Sequence, residues 1–376
     1  MSYSGLRLYT NMPDENTLRL SLEETDIPDP KGYGVVVEVK AAPINPSDLH
    51  KMFFTANLAK AKLSNSDKGL VLEAPVKMPP NGQLKSRLNA PIVVGNEGSG
   101  IVVAAGEKPE AQALMGKKVS LPGGGMYSQY CAFDARYCME HKEDVSFAEA
   151  ASSYINPMTA LVLLETMRQA GHKALIQSVA ASSLGQMINR LCLNDGIELI
   201  NIVRRDEQMQ LLKKQGAHRV INSSTQNFHH DLIASVAETR ATMLFDATFG
   251  GHMVSDVLTC IEEAMQIGHE GFLDYQGAGV FKHAYVYGML DPSPMKMEAS
   301  VGMNWSVSSF VLPIFAAKLP QETMFAFKNK VASDINTTFK TSYGESISLQ
   351  DVLQPENIGR YYEKTTDGKY LVLPNG

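Results

Sequence analysis

The sequence predicts an α/β protein in which a β-rich, glycine-punctuated domain precedes a doubly wound parallel sheet. Three observations predict it. Short β-branched runs broken by Gly and Pro fill roughly the first 150 residues. From Lys173 onward, strand-like and helix-like stretches alternate, as in parallel βαβ units. A tight loop of small residues, Ala180 to Gly185, joins the first of those strands to its helix.

The chain has 376 residues, too many for one ordinary core, so two or three domains are expected. Hydrophobic residues make up 44% and charged residues 20%, the balance of a soluble globular protein. Net charge is −6 and the pI is near 5.9. With no Lys/Arg block, nothing recruits nucleic acid. No run approaches the ~18 apolar residues of a membrane span. The opening Met1–Thr10 is polar and mixed, unlike a signal peptide, so a cytoplasmic protein is expected. The four cysteines, Cys131, Cys138, Cys192 and Cys260, fit neither a Cys-x-x-Cys pair nor a four-cysteine zinc lobe and read as reduced thiols.

Residues 1–45 read as strands, with Gly34–Lys40 the richest β-branched run. Residues 46–90 carry scattered Lys, Ser and Asn, Pro79-Pro80 and Asn81-Gly82, and only a weakly helical patch at Leu58–Leu63; they read as an irregular insertion or lid. Strand character returns at 91–94, 100–104, 117–121 and 127–133, with Gly123-Gly-Gly125 as a turn. Helical stretches start at Ser146 and Pro157. The alternating region then gives strands at 174–179, 198–203, 219–222, 243–247 and 284–288. Helices lie between them, one running from Asp206 as N-cap to Gln215 before Gly216. The tail offers a strand at 339–343, a helix near 354–365 and a strand at 369–373. The domains are expected at 1–155, with 335–376 returning to it, and at 156–334.

The loop Val179-Ala-Ala-Ser-Ser-Leu-Gly185 keeps one of the glycines of a Rossmann dinucleotide fingerprint. A helix N-terminus suits a pyrophosphate through its free N–H groups and dipole. Ala181, Ser182, Ser183 and Leu184 would line it; an ordinary βα turn is the alternative. After the second strand come Arg204 and Arg205 where an NAD-specific unit offers an acid. A guanidinium fork suits a 2′-phosphate, so NADP(H) is the expected cofactor. A solvated surface pair is the alternative.

Five stretches in order resemble the medium-chain dehydrogenase/reductase superfamily: Ala42–Leu49, Val94–Val102, Asn156–Ala160, the loop before Gly185, and Phe245–Gly251. More narrowly they resemble its zinc-free quinone oxidoreductases, 2-alkenal reductases and enoyl-thioester reductases. The resemblance implies a GroES-like β domain and a Rossmann domain with the cofactor in the cleft between them. It places Thr159, Thr248, Gly250, Tyr287 and Gly288 at the cofactor; for the glycines, turn chemistry is an equal reading. It also implies a homodimer and a small-molecule substrate. Asn304–Phe310 would be a loop over the nicotinamide or a dimer seam, or would pack Trp305 into the core.

Zinc alcohol dehydrogenases of that superfamily carry a Cys ligand where this chain has Asn45, and Gly-His-Glu where it has Gly95-Asn96-Glu97. Neither position offers a thiolate or imidazole, so no metal is expected. The implied activity is hydride transfer from NADPH to an activated C=C bond or a quinone. Asn45 would position substrate or nicotinamide; a turn with Asp48 capping the next helix is the alternative. The Tyr that enoyl-thioester reductases carry beyond the Asn-Pro segment is missing. His50 and, behind it, Tyr127 are the candidate proton donors; a surface histidine with proton delivery by water is the alternative. The rival readings are a catalytically weak NADP-binding scaffold or sensor, and a zinc-type alcohol dehydrogenase with displaced ligands.

Overall fold

The computed structural model describes residues 3–67, 69–77, 85–267, 278–362 and 368–376. The chain divides into two compact units, 1–155 with 328–376, and 156–327.

The first unit is built on two mainly antiparallel sheets. One orders the strands Lys62–Ser66, Gly69–Pro75, Thr17–Ile27, Tyr3–Asp14 and Ile92–Val93. The other orders Met139–Glu140, Lys118–Pro122, Glu97–Ala105, Gly34–Pro43, Lys369–Leu373 and Tyr343–Ser348, with Tyr130–Asp134 also paired to Gly34–Pro43. The inward residues Leu8, Leu20, Val35, Val37, Val39 and Leu121 are fully or almost fully buried in one apolar cluster. Burying such side chains supplies the main driving force of folding.

The second unit holds a six-stranded parallel sheet, ordered Arg219–Asn222, Glu198–Val203, Ala174–Gln177, Met243–Asp246, Lys282–Val286 and Trp305–Ser309. In chain order this is 3-2-1-4-5-6, the Rossmann order. Every residue of Ala174–Gln177 and of Met243–Asp246 is buried, as parallel strands covered by helices on both faces require. The direction of winding reverses between Ala174–Gln177 and Met243–Asp246, where ligands bind in such sheets.

Four sequence expectations need correction. Residues 46–90 are no irregular lid: Pro46–Phe53 is a helix, and Lys62–Ser66 pairs with Gly69–Pro75, which pairs in turn with Thr17–Ile27. Pro79-Pro80 and Asn81-Gly82 lie outside the described residues. Trp305–Ser309 is the sixth parallel strand, and Trp305 is exposed, its indole bonded to the Gly302 carbonyl, so it fills no core. The tail strand runs over Tyr343–Ser348, not 339–343. The helix after Val203 is Asp206–Lys214 with Arg205 as N-cap, and the Asp206 carboxylate accepts from Asn222 Nδ2 at 2.8 Å. No helix of the described residues is long and apolar enough to cross a membrane.

Candidate functional site

In the first unit, strand Gly34–Pro43 runs out into Ile44-Asn45, and Asn45 is the N-cap of the Pro46–Phe53 helix. Pro46 presets the first helical φ. Asp48, fully buried, accepts the Asn45 backbone N–H at 2.9 Å and the Asn96 backbone N–H at 2.8 Å. It therefore both caps the helix and ties it to the 94–97 segment. Burial raises its carboxyl to about 6 against those two hydrogen bonds. Gly95, at φ +94, must be glycine: a Cβ there would lie 2.5 Å from the Tyr127 backbone nitrogen.

With the cap bond made by Asp48, the Asn45 amide faces elsewhere. Its Nδ2 donates to Glu97 Oε1 at 2.9 Å, and its Oδ1 accepts from Lys369 Nζ at 2.6 Å. Glu97 Oε2 accepts the Tyr154 and Ile155 N–H groups at 2.9 and 2.8 Å, satisfying the start of the helix Ile155–Gln169. Lys369 arrives by strand register. Leu371 pairs with Pro43 and Val372 with Ala42, so two further steps bring Lys369 opposite Asn45. Burial lowers the pKa of its ammonium, while Glu97 and Asp48 oppose the shift. Asn45 is only 2% exposed.

The two proposed proton donors fare differently. Tyr127 is 0% exposed, and its hydroxyl donates to the Pro43 carbonyl at 3.0 Å. Burial pushes it well above its ordinary range. A sealed, bonded phenol cannot hand a proton to a substrate, so Tyr127 is a structural residue. His50 lies on the exposed side of the Pro46–Phe53 helix with its ring edge against Phe54. Partial burial and the Arg87 cation lower its pKa.

In the second unit, strand Ala174–Gln177 leads through 178–182 into the helix Ser183–Asp195. Ser182 caps it, its hydroxyl accepting the Gly185 N–H at 3.1 Å. The retained glycine is needed for this contact, since a Cβ on Gly185 would sit 2.4 Å from the Ala180 carbonyl oxygen. Val179 is held at φ +50, a strained conformation for a β-branched residue and the kind found at ligand loops. Ala181 and Leu184 are buried. Ser183 Oγ and Tyr287 Oη are buried with no protein partner. Of the two, Ser183 Oγ stands at the helix start, where a phosphate-bearing cofactor would satisfy it.

Arg204 and Arg205 follow strand Glu198–Val203 and both are exposed. The Arg204 backbone is fixed by Gln208 Oε1 and Ser224 Oγ at 3.1 and 3.0 Å. At the switch point, Ser178 Oγ donates to Asp246 Oδ1 at 2.7 Å and accepts the Ala247 N–H at 2.9 Å. Thr248 Oγ1 donates to the same carboxylate at 2.8 Å. The Tyr287 N–H donates to the Asp246 carbonyl at 2.8 Å, which brings Tyr287 and Gly288 beside that turn. Gly250 lies in a short strand pairing, where a Cβ would meet the Ser293 carbonyl oxygen at 2.2 Å. Thr159 is buried on the Ile155–Gln169 helix. Sequence reasoning missed Ser178, Asp246 and Lys369. Asp246 lies inside the Phe245–Gly251 stretch, but nothing local shows that Ser178 and Lys369 have distant partners. Among the described residues no three His, Cys, Asp or Glu side chains converge as a metal-ligating group.

The alcohol dehydrogenase GroES-like domain family matches residues 31–144. The mitochondrial enoyl-[acyl-carrier-protein] reductase of Xenopus tropicalis is 30% identical over 210 residues, 54% of this chain and 51% of that protein. The chain spans about half the length of the curated enoyl reductases it matches. Quinone oxidoreductase-like protein 2 of Bos taurus is 22% identical over 263 residues, covering 69% of this chain and 72% of that protein. Escherichia coli quinone oxidoreductase, solved with NADPH, superposes with a TM-score of 0.68 at 18% identity, covering 98% of this chain and 100% of that one. Etr1p, solved with NADP and crotonyl-CoA, gives 0.67 at 15%, covering 99% and 100%. The two structures show a shared fold.

Residues 31–144 thus fall in the alcohol dehydrogenase GroES-like domain family, and the chain is similar to proteins named as enoyl and quinone oxidoreductases. It carries amides at 45 and 96, and the Asn96 side chain donates to Ser47 Oγ at 3.0 Å.

Proposed function

We propose that this chain is an NADP(H)-dependent, zinc-independent reductase. Its substrate would be an activated C=C bond, in an α,β-unsaturated carbonyl or thioester, or a quinone. The observation that carries the reading is the Asn45 amide held between the Lys369 ammonium and the Glu97 carboxylate. An ammonium beside Asn45 competes with any metal cation there, and it favours negative charge gathering on a nearby substrate oxygen. Likeness to proteins named as enoyl and quinone reductases supports the same class.

Reduced nicotinamide, when bound, supplies the hydride. The chain's own residues would then do the rest. Ser182, Ser183 and the helix start behind them would hold the pyrophosphate. Arg204 and Arg205 would hold the 2′-phosphate. Thr159, Thr248, Tyr287 and Gly288 would flank the cofactor, with Ala181 and Leu184 contributing backbone only. In an α,β-unsaturated substrate, hydride addition at the β-carbon would leave the negative charge on the carbonyl oxygen. Asn45 would donate a hydrogen bond toward it, and a proton must then reach the α-carbon. With Tyr127 sealed, His50 would be the candidate side chain, and delivery by water the alternative.

A second reading, an NADP-binding protein with little turnover, is favoured by the sealing of Tyr127. Following NADPH oxidation with a panel of enones, enoyl thioesters and quinones separates the two. Turnover on one class, unchanged by a chelator, is expected. Bound NADPH with no turnover on any of them would overturn the reductase reading, and activity lost to a chelator would overturn zinc independence.

A further inference from the structure

We infer that Lys369 is a positioning residue: its ammonium sets which way the Asn45 amide faces, with Oδ1 toward the lysine and Nδ2 toward the carboxylates. The role in turnover rests on the reductase reading above, whereas the amide clamp stands on geometry alone.

An asparagine amide has two nearly isosteric orientations, and its neighbours decide between them. Glu97 can only accept, and it takes a hydrogen from Nδ2 at 2.9 Å. Lys369 can only donate, and it gives one to Oδ1 at 2.6 Å. Both demand the same orientation. Flipping the amide would set its NH2 against an ammonium and its oxygen against a carboxylate. Both acids sit on the same side of the amide: Glu97 accepts from Nδ2, and the Asp48 carboxylate is also hydrogen-bonded by the Asn45 side chain.

The backbone sets the position of Lys369. Its strand is pinned by the Leu371–Pro43 pair and by the Ile44 N–H on the Tyr370 carbonyl at 2.9 Å. The clamp thus closes between positions 45 and 369 without relying on a mobile loop. The charged groups facing the ammonium are Glu97, from strand Glu97–Ala105, and Asp48, from helix Pro46–Phe53. Tyr127 and Tyr343, which face those carboxylates, are raised by burial and stay neutral. Without Lys369, Asn45 would stand between two acids, a poor place for a substrate oxygen gaining negative charge. Burial also lowers the pKa of the lysine, bringing its deprotonation nearer to working pH.

The test follows the Asn45 side-chain NH2 resonances in asparagine-labelled protein, assigned by their loss in Asn45→Asp. In the wild type they should shift in one step as pH rises, with a midpoint below the ordinary lysine value. In Lys369→Met that step should vanish. With the best substrate, Lys369→Met should lower kcat by about tenfold or more and leave the KM for NADPH within about twofold. Its kcat profile should also lose the alkaline fall that the wild type shows. A lysine that merely balanced buried acids would change stability and leave the amide signal and the alkaline limb alone. An Asn45 resonance indifferent to pH, or a folded Lys369→Met with wild-type kcat, would overturn the proposal. Should Lys369→Met not fold, the wild-type titration still decides the clamp. A wild type with no turnover would remove the reductase reading, and the titration would then decide the clamp by itself.

Discussion

The Ser178 hydroxyl donates to the Asp246 carboxylate at 2.7 Å, joining the ends of the two strands between which the parallel sheet reverses its winding. Asp246 also accepts from Thr248 Oγ1 and from the Phe249 N–H at 2.8 Å, and Phe249 stands at φ +72. One buried carboxylate thus shapes both turns that line the carboxyl end of the sheet. Asp246→Ala would leave three donors without their acceptor. The expected loss is about 2–4 kcal/mol in urea unfolding, with NADPH affinity falling alongside. Ser178→Ala removes one donor and should cost about 1 kcal/mol. An Asp246→Ala protein as stable as Ser178→Ala would show that the carboxylate organises nothing beyond one bond.

The parallel sheet was legible because its central strands bury both faces. Runs such as Ala174-Leu-Ile-Gln177 and Glu198-Leu-Ile-Asn-Ile-Val203 are mostly apolar, and helical periodicity separates them. Edge strands lack that signal. Lys62-Leu-Ser-Asn-Ser66 exposes four of its five residues, and Trp305–Ser309 has no fully buried position. Both therefore read as loop. The site was legible where a resemblance reached it, at Asn45 and the loop before Gly185. Lys369 was visible only as the start of a strand, because its partner lies at the other end of the chain and only pairing register brings the two together.

Gly185 is the one fingerprint glycine this loop keeps, and its surroundings explain why. A methyl group there would press on the Ala180 carbonyl oxygen at 2.4 Å, a backbone atom that cannot swing aside. Gly185→Ala should therefore cost about 1–3 kcal/mol in thermal or urea unfolding. NADPH binding should weaken more than stability does, because the helix start must move away from the loop. Unchanged affinity in isothermal titration would separate this turn from the cofactor.

Arg204 and Arg205 together make a prediction about cofactor choice. If they receive a 2′-phosphate, replacing both with Ala removes charge-assisted bonds worth about 1.5–3 kcal/mol, and NADPH affinity should fall roughly 10- to 100-fold. NADH, which lacks that phosphate, should change little. Equal losses for the two cofactors would rule out the 2′-phosphate role.

His141 gives the first unit an acid sensitivity whose sign can be worked out. It is buried, its Nε2 lies 2.8 Å from Ser120 Oγ, and burial together with Lys118 lowers its pKa from 6.5 to about 4. The unfolded chain therefore binds a proton there more readily than the native protein does. Its contribution to stability is complete above pH 6.5 and is lost as pH falls toward 4. At about 1.4 kcal/mol per pH unit, the gap between those two values bounds the effect at roughly 3 kcal/mol. Asp48, raised to about 6, works with the opposite sign across much of the same range, so the wild-type profile alone would hide both. The difference between wild type and His141→Gln cancels Asp48. That difference should grow in favour of the wild type as pH rises from 4 to 6.5 and stay level above it. A difference that is flat with pH would mean that the imidazole titrates alike in the folded and unfolded chains.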